Sequence, residues 1–177
     1  MAGADYTIAF KGEQEVERQL TGIIGRLENP EPLLDILGQV IESDIDDNFD
    51  GEHTPAGIPW LPVFRPEGDN RKILHGKPPR LRPSMNREVG RSYVRVGTNV
   101  IYARRQNDGF TGTEQVSAHR RIMSVVFGVR LQSPMEVMVR AHSRQANTPA
   151  REFLGVSPGA QEDMIGMAGD YVAGEAA

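Results

Sequence analysis

Hydrophobic residues recur every three to four positions along the first fifty residues, which is the period of an amphipathic helix. The first such segment begins near Gly12, and its apolar positions are Val16, Leu20, Ile23, Ile24 and Leu27. Pro30 ends it, because proline lacks the N–H that would continue the helix. A second segment begins around Pro32, since the first helical turn tolerates proline. We therefore expect two helices joined by a short turn, a helical hairpin over residues 1–50.

The second helical segment has an apolar face and an acidic face. Its apolar positions are Leu33, Leu34, Leu37, Val40, Ile41, Ile45 and Phe49. Its acidic positions are Asp35, Glu42, Asp46, Asp47 and Asp50. Such a face is either solvated or docked against arginines of a neighbour. We take Asp46 and Asp47 as candidate subunit-interface residues.

Outside these helices, apolar and polar residues alternate with the period of a β-strand. This alternation predicts a short strand over residues 5–10 and a strand pair within residues 84–98, with Gly90 at its turn. One or two helical turns are expected from Val100 to Arg105. The strand pair begins a β-rich core that we place at residues 84–146.

Two strong strand candidates follow, Ile122–Leu131 and Met135–His142, and they flank Gln132-Ser133-Pro134. Because serine and proline favour turns, these segments predict a β-hairpin with the tripeptide as its turn. Arginines alternate with valines along the second segment, so the hairpin should have an arginine-bearing face.

Residues 147–177 are predicted to form a loop and a final helix. Ser157 can cap that helix, and Pro158 would occupy its first position, where no N–H is needed. Phe153 is expected to fill a core ahead of it. Arg151 is a candidate for contact with another subunit or with DNA, and the alternative is a solvated loop position.

Proline and glycine are concentrated in residues 51–83, where neither period is visible. A long segment of this kind is functional or disordered, and its aromatic residues disfavour disorder. We expect an extended arm that orders on docking, with Trp60, Leu61 and Phe64 as its contact residues, because tryptophan is enriched at interface hot spots. The alternative is that Trp60 closes the core of its own subunit.

Composition agrees with a small core that carries long loops. Of the 177 residues, 38% are hydrophobic, 19 are glycine and 12 are proline. The length fits a single domain. We predict an α+β fold: N-terminal helices packed on a small antiparallel β-sheet with a long β-hairpin, an extended arm and a C-terminal helix. No segment approaches the roughly 18 apolar residues of a membrane span, and no signal-peptide pattern is present, so we expect a soluble protein without membrane contact.

Charge is strongly segregated along the chain. Residues 1–60 have a net charge of −10, residues 61–151 of +11 and residues 152–177 of −5, within a total of −4. This segregation favours either contact with a polyanion or charge pairing between segments and subunits. Arginine suits both, because its guanidinium pairs with phosphate and with carboxylate. The basic residues that we single out are Arg120, Arg121, Arg130, Arg140 and Arg144.

The sequence supplies little for metal binding or catalysis. It contains no cysteine, and its four histidines lack the i, i+4 spacing of a helical metal site. The segment around Ser157 matches Gly-x-Ser-x-Gly, but Pro158 has no N–H to donate to an oxyanion hole. We expect no cofactor and no enzymatic activity. A small hydrolase using Ser157 is the weakest alternative.

Several blocks of the chain resemble the Mu-type phage virion morphogenesis family, which is related to tail completion proteins. These blocks are Gly57–Pro62 (GIPWLP), Leu81–Met85 (LRPSM), Val94–Thr98 (VRVGT), Ile101–Gln106 (IYARRQ) and Thr148–Ser157 (TPAREFLGVS). The resemblance spans about residues 30–170, and the last block is its most specific part. The chain departs from the family pattern at Arg105 and Glu152, where histidine and proline are more usual.

The resemblance implies a structural protein of the virion. Family members act at the neck or tail end, so we expect a homo-oligomeric, hexameric ring at the head–tail junction, assembled in the host cytoplasm. Its expected partners are other copies of itself, portal, adaptor or stopper proteins, tail tube or terminator proteins, and packaged DNA in non-specific contact. In such a ring the five singled-out arginines are candidates for lining the DNA channel. The interface candidates are Trp60, Leu61, Phe64, Asp46, Asp47, Arg151 and Phe153.

A second function class is compatible with the basic middle region. A free-standing nucleic-acid-binding protein, monomeric or dimeric, could use the arginines of the β-hairpin. The acidic first sixty residues count against it, because they would repel a polyanion.

Overall fold

The computed structural model describes residues 12–64, 69–76, 80–126 and 129–175. The strand expected at residues 5–10 lies outside them. The contacts between residues divide the chain into two compact units. The first unit combines the segment that ends at Val100 with the segment that begins at Phe153, and the second unit is Ile101–Glu152. The described elements, in chain order, are α1 (Glu13–Glu28), α2 (Glu31–Gly51), a 3₁₀ turn (Arg82–Ser84), β1 (Asn86–Val89), β2 (Val94–Gly97), α3 (Ala103–Asp108), β3 (Phe110–Val116), β4 (His119–Val126), β5 (Val129–Val139), β6 (His142–Thr148) and α4 (Pro158–Ala173). These helices and small antiparallel sheets confirm the predicted α+β class.

The first unit contains the three longest helices, and their ends follow the sequence signals. Acidic Glu13 and Glu15 lie in the first turn of α1, where they complement the helix dipole. Pro30 is the N-cap residue of α2, which confirms the predicted break between the two helices. Their packing differs from the expected hairpin: α1 and α2 each contact α4 more extensively than they contact one another. No residue of α1 is buried.

Helix α2 also packs against the β1–β2 strand pair, which confirms the pair expected within residues 84–98. Gly90 lies at its turn, where its N–H donates to the carbonyl oxygen of Tyr93 at 2.8 Å. The close approach of helix and strands depends on Gly38. A Cβ atom at that position would collide with the side chains of Arg87 and Val94, so only glycine fits.

The core of the first unit forms around Phe49 on α2. Its buried apolar residues are Ile45, Phe49, Trp60, Ile73, Leu81, Phe153 and Ala160. The ring of Phe49 lies 5.1 Å from that of Phe153 and 6.0 Å from that of Trp60, both measured between centroids. Three of these residues come from the predicted arm. The described part of the arm is therefore an irregular segment that contributes some residues to the core and leaves others exposed at the surface.

The second unit is a helical turn followed by a two-stranded antiparallel ribbon. Strand β3 pairs with β6, and β4 pairs with β5. The first ladder ends with Val116 opposite His142, and the second begins with His119 opposite Val139. The two ladders are therefore successive parts of one long ribbon, separated by a break of two residues in each strand.

The predicted turn of the hairpin is wrong. Gln132-Ser133-Pro134 lies inside β5, and Val126 pairs with Val129 across the ladder. The tripeptide falls at an irregularity, because the residues paired with Met123 and Val125 are Met135 and Arg130. Proline is tolerated there because the ladder pairing is interrupted between Arg130 and Met135, so the missing N–H of Pro134 removes no ladder hydrogen bond. The predicted second strand also ends earlier than expected, at Val139.

Candidate assembly surfaces

The two aromatic residues expected at an interface, Trp60 and Phe153, lie in the core of the first unit. Trp60 is buried edge-on against Phe49 at an interplanar angle of 82°. Phe153 is fully buried, and its carbonyl oxygen accepts a hydrogen bond from the buried amide of Asn48 at 3.3 Å. The structure thus gives Trp60 the position considered as the alternative, a residue that closes its own subunit's core.

The neighbouring arm residues are differently placed. Leu61 is exposed, and the side chain of Phe64 is 97% exposed. An exposed phenylalanine of this kind leaves its whole apolar ring in water, which costs free energy unless a partner covers it. Of the three arm residues singled out from sequence, Leu61 and Phe64 are therefore the ones whose side chains are exposed.

The acidic face of α2 is largely neutralised within its own subunit. The guanidinium of Arg82 donates to both carboxylate oxygens of Asp50, at 2.8 and 2.9 Å, and to Asp46 at 2.8 Å. Hydrogen bonds from Arg82 and Lys72 hold the pKa of Asp50 well below its ordinary value of 3.8. Two-pronged contact of this kind suits the planar guanidinium. Asp46 is therefore already paired before any second copy approaches.

A second arginine repeats this arrangement further along α2. Arg87 on β1 lies 3.3 Å from a carboxylate oxygen of Asp35 and 3.0 Å from one of Glu42. Asp47, by contrast, is exposed and makes no ion pair within the described residues. Arg151 is buried, and its burial lowers the pKa of the guanidinium. The burial of Arg151 differs from both positions considered from sequence, a surface contact and a solvated loop.

All five singled-out arginines lie on or beside the ribbon, and all are exposed. Arg144 pairs with Glu114 at 2.8 Å, and hydrogen bonds from Arg144 and Arg105 lower the pKa of that glutamate. Arg120 makes a looser contact of 3.5 Å with Glu136. Of these five arginines, Arg121, Arg130 and Arg140 make no ion pair within the described residues. The β4–β5 part of the ribbon therefore has an excess of positive charge.

The same part of the ribbon displays apolar side chains. Its exposed apolar residues are Ile122, Val125, Val129, Met135 and Met138, of which Ile122 is 73% exposed. Ile122 is paired with Glu136 and Arg120 with Met138. Residues paired across a ladder point to the same side, and side chains two apart along a strand do so as well. One side of the ribbon thus combines Ile122 and Met138 with Arg120 and Glu136, which contact one another.

A second exposed apolar surface lies on α1. The stripe is formed by Val16, Leu20, Ile24 and Leu27, all of them more than half exposed. A groove of about 630 Å³ follows this stripe, and Glu13 and Glu17 are among the residues that line it. The sequence pattern showed the stripe but not its exposure, because the spacing of apolar residues on a helix is the same whether the face is covered or bare.

Ser157 and the histidines serve local structure. The hydroxyl of Ser157 donates to Asp44 at 2.6 Å and accepts from the N–H of Ala160 at 3.2 Å, which confirms the predicted helix cap. Asp44 also accepts the backbone N–H of Ser157 at 2.7 Å. One ring nitrogen of each of the four histidines lies close to a backbone carbonyl oxygen at most two residues away. In the described parts of the chain, no three acidic or histidine side chains form a group that could hold a metal ion.

Sequence reasoning missed the partners of Arg82, Arg87 and Ser157. These arginines stand more than thirty residues from the carboxylates they contact, and Ser157 stands 113 residues from Asp44. No local pattern links such positions. The only available signal was the surplus of acidic residues on the second predicted helix, which required basic partners somewhere.

Comparison with known proteins identifies the class of this molecule. The model of the phage virion morphogenesis family matches residues 12–173, which is most of the chain. Searches of curated proteins and of solved structures returned no match. Within the described residues, no helix combines the length and hydrophobicity needed to cross a bilayer. The chain therefore belongs to the phage virion morphogenesis family, a family of structural and assembly proteins of bacteriophage particles.

Proposed function

We propose that this protein is a structural subunit of the head–tail junction of a tailed phage. In this proposal it forms a hexameric ring around the DNA channel and joins the head connector to the tail. Its neighbours would be a portal, adaptor or stopper protein on one side and a tube or terminator protein on the other. The observation that carries the proposal is the family match over residues 12–173, together with the order of the sequence blocks described above.

The distribution of exposed side chains supports a role in assembly. Soluble monomers rarely display several large apolar side chains on separate elements, whereas assembling subunits do. Here the stripe of α1, the arm residue Phe64 and the ribbon around Ile122 are all exposed. These are three separate surfaces, so one subunit could contact several neighbours at once.

We further propose that the protein acts without catalysis. The hydroxyl of Ser157 is engaged as a helix cap and donates to Asp44, so it is held by a carboxylate and not by a histidine base. Acyl transfer would need a nucleophile, a base and an oxyanion hole at one place. Reaction with a serine-directed probe at Ser157 would contradict this part of the proposal.

Contact with packaged DNA would come from exposed arginines that the subunit itself leaves unpaired. Arg121, Arg130 and Arg140 make no ion pair within the described residues. Phosphate contacts read no sequence, so they suit a channel through which DNA slides. The paired guanidinium groups of Arg82 and Arg87 are already neutralised by α2 and are weaker candidates.

A density map of the neck of purified particles tests the proposal most directly. We expect the chain to occupy a closed ring at the junction of head and tail. Particles assembled without the protein should contain filled heads and tails that are not joined. Absence of the protein from purified joined particles would contradict the proposal.

The second candidate is a free-standing nucleic-acid-binding protein, favoured by the unpaired arginines of the ribbon. Light scattering with and without duplex DNA separates the two. The structural role predicts a mass that is a multiple of the 19.5 kDa subunit, with weak, salt-sensitive DNA binding. A monomer that binds duplex DNA tightly at physiological salt would favour the second candidate.

A further inference from the structure

We propose that the β4–β5 ribbon of one copy docks on the exposed α1 stripe of the next copy, and that this contact builds the ring. The statement that this contact builds a ring rests on the proposed function. The contact itself is a statement about two surfaces of this chain. The occupant of the α1 groove is thus a second copy of the same protein, through the ribbon side that carries Arg120, Ile122 and Met138.

The first argument is that, within the part of the chain that the structure describes, the apolar side chains of both surfaces are exposed. Ile24 on α1 is 55% exposed, and Ile122 on the ribbon is 73% exposed. Among the described elements of its unit, β4 packs extensively only against β5. An isolated two-stranded ribbon is at best marginally stable in water, so this one gains most from a covering surface. The α1 stripe is an apolar surface of suitable size, because Val16 and Ile24 are roughly 12 Å apart along the helix.

The second argument is charge. The β4–β5 part of the ribbon carries Arg120, Arg121 and Arg130 against one acid, Glu136, which contacts Arg120, so its net charge is positive. The α1 groove, by contrast, is flanked by Glu13 and Glu17. An apolar centre with opposite charges at the rim is the usual composition of a specific protein interface. Four of the α2 acids compete less for the ribbon, because Arg82 pairs with Asp46 and Asp50, and Arg87 with Asp35 and Glu42, in the same subunit.

The third argument is geometry of assembly. The ribbon and α1 are different surfaces, and each copy has one of each. A contact between different surfaces is head-to-tail, so it leaves both copies with one unused surface and can propagate. Such contacts close into rings when the rotation between copies allows it.

Matched isoleucine substitutions test the contact. Ile122→Asp should damage the ribbon surface and Ile24→Asp the α1 surface. Each should weaken self-association by roughly tenfold to a hundredfold, because each places a charge where a large apolar side chain is buried in the contact. Ile101→Asp and Ile165→Asp are the controls, since these side chains are 99% and 74% exposed and lie outside both surfaces. Sedimentation velocity over a range of concentrations measures the effect.

Mixing the two variants separates this contact from any other. The intact ribbon of the Ile24→Asp copy can dock on the intact α1 of the Ile122→Asp copy, so a one-to-one mixture should form a dimer that grows no further. Ile122→Thr keeps a β-branched residue in the strand and should weaken association less than Ile122→Asp, which guards against a simple folding defect. Circular dichroism of each variant checks that the fold is retained.

Exchanging the charges of Arg120 and Glu17 gives an independent test. Arg120→Glu and Glu17→Arg should each weaken association, and the double variant should recover it in part, because opposite charges then face one another again. The proposal is overturned if the Ile122 and Ile24 variants associate as their controls do, or if the mixture forms no dimer. It is also overturned if Ile24→Asp lowers only the stability of the monomer, as it would if another segment of the same chain covered α1.

The outcomes for the contact and for the proposed function are distinguishable. A ring in the particle neck that survives both isoleucine substitutions would remove the contact and leave the function standing. A chain that associates through the ribbon and α1 in solution but is missing from joined particles would support the contact and contradict the proposed function.

Discussion

At the scale of single residues, Phe49 shows how position decides between core and surface. It is fully buried between Trp60 and Phe153, although the sequence places it at the end of a helix that is mostly acidic on the other side. Phe64 has the same side chain in the arm and is almost wholly exposed. The chemistry of the two residues is identical, so their different contributions to stability come from their surroundings alone.

We expect Phe49→Ala to lower the free energy of unfolding by about 3–5 kcal/mol, because truncation leaves a cavity that neighbouring rings cannot fill. Phe64→Ala should change it by less than about 0.5 kcal/mol, as exposed substitutions usually do. Urea unfolding followed by circular dichroism compares the two. Equal effects of both substitutions would mean that the aromatic cluster is not the core of the first unit.

The contact between Arg82 and Asp50 predicts how stability depends on pH. The pKa of Asp50 is lower in the folded protein than the ordinary value of 3.8 that it regains on unfolding. The unfolded chain therefore binds more protons below about pH 4, and the stabilisation from this pair is complete above that range and lost as the pH falls. Because both side chains are partly exposed, water and salt screen the pair.

In Arg82→Met, the dependence of stability on pH between about pH 2 and pH 6 should be shallower than in the wild type. Arg91→Met is the control, because Arg91 is exposed and makes no ion pair within the described residues. Urea midpoints measured across this range give the comparison. A wild-type profile that runs parallel to that of Arg82→Met would show that Arg82 does not set the pKa of Asp50.

At the scale of elements, the ribbon and α1 differ from the rest of the fold in having little that covers them. Helix α2 is held by α4, by the β1–β2 pair and by the arm. Strands β4 and β5 have cross-strand hydrogen bonds and a break in register near Ser124, and among the described elements of their unit they pack extensively only against each other. An element of this kind opens readily unless a partner covers it.

Hydrogen exchange should therefore report assembly at β4 and β5. In dilute protein, or in the Ile24→Asp variant, the amides of these strands should exchange quickly. In the assembled ring they should be protected roughly tenfold or more, because opening the ribbon would first require the contact to be broken. The amides around Phe49 on α2 should be equally protected in both states. Unchanged exchange at β4 and β5 on assembly would contradict a covered ribbon.

At the scale of the whole molecule, charge is divided between pairs inside the subunit and groups left at its surface. Most of the α2 acids are paired with Arg82 and Arg87, so the net positive charge of the middle region is displayed mainly by the ribbon. The acids that make no ion pair within the described residues include Glu13 and Glu17 on α1. Segregation of this kind gives a subunit two surfaces of opposite sign, which favours head-to-tail association and disfavours contact between like surfaces.

Salt should weaken the ring without abolishing it. Raising sodium chloride from about 0.1 M to about 1 M shortens the screening length from about 10 Å to about 3 Å, which removes most of the attraction between exposed charges. The apolar part of the contact persists, and ammonium sulfate at the same ionic strength should strengthen it. Light scattering at each salt concentration follows the mass. If the mass does not change with sodium chloride concentration, the contact is held by its apolar residues alone.

Local order was predictable from the sequence. The helix boundaries at Asn29-Pro30, the cap at Ser157 and the strand pair around Gly90 all followed from residues within a few positions of each feature. The α+β class and the family resemblance were also visible. The hairpin turn was misplaced because Gln132-Ser133-Pro134 is a turn signal that a bulged edge strand also accepts.

The sequence by itself determined where helices and strands form and how charge is divided among the segments, because both depend on neighbours along the chain. Only the tertiary structure decided which apolar residues are covered: it buried Trp60 and left Phe64 and the α1 stripe exposed. It also decided which arginines form ion pairs inside the subunit, such as the pair between Arg82 and Asp50. The physical reason is that burial and ion pairing depend on distances between residues far apart in sequence, which no local pattern encodes.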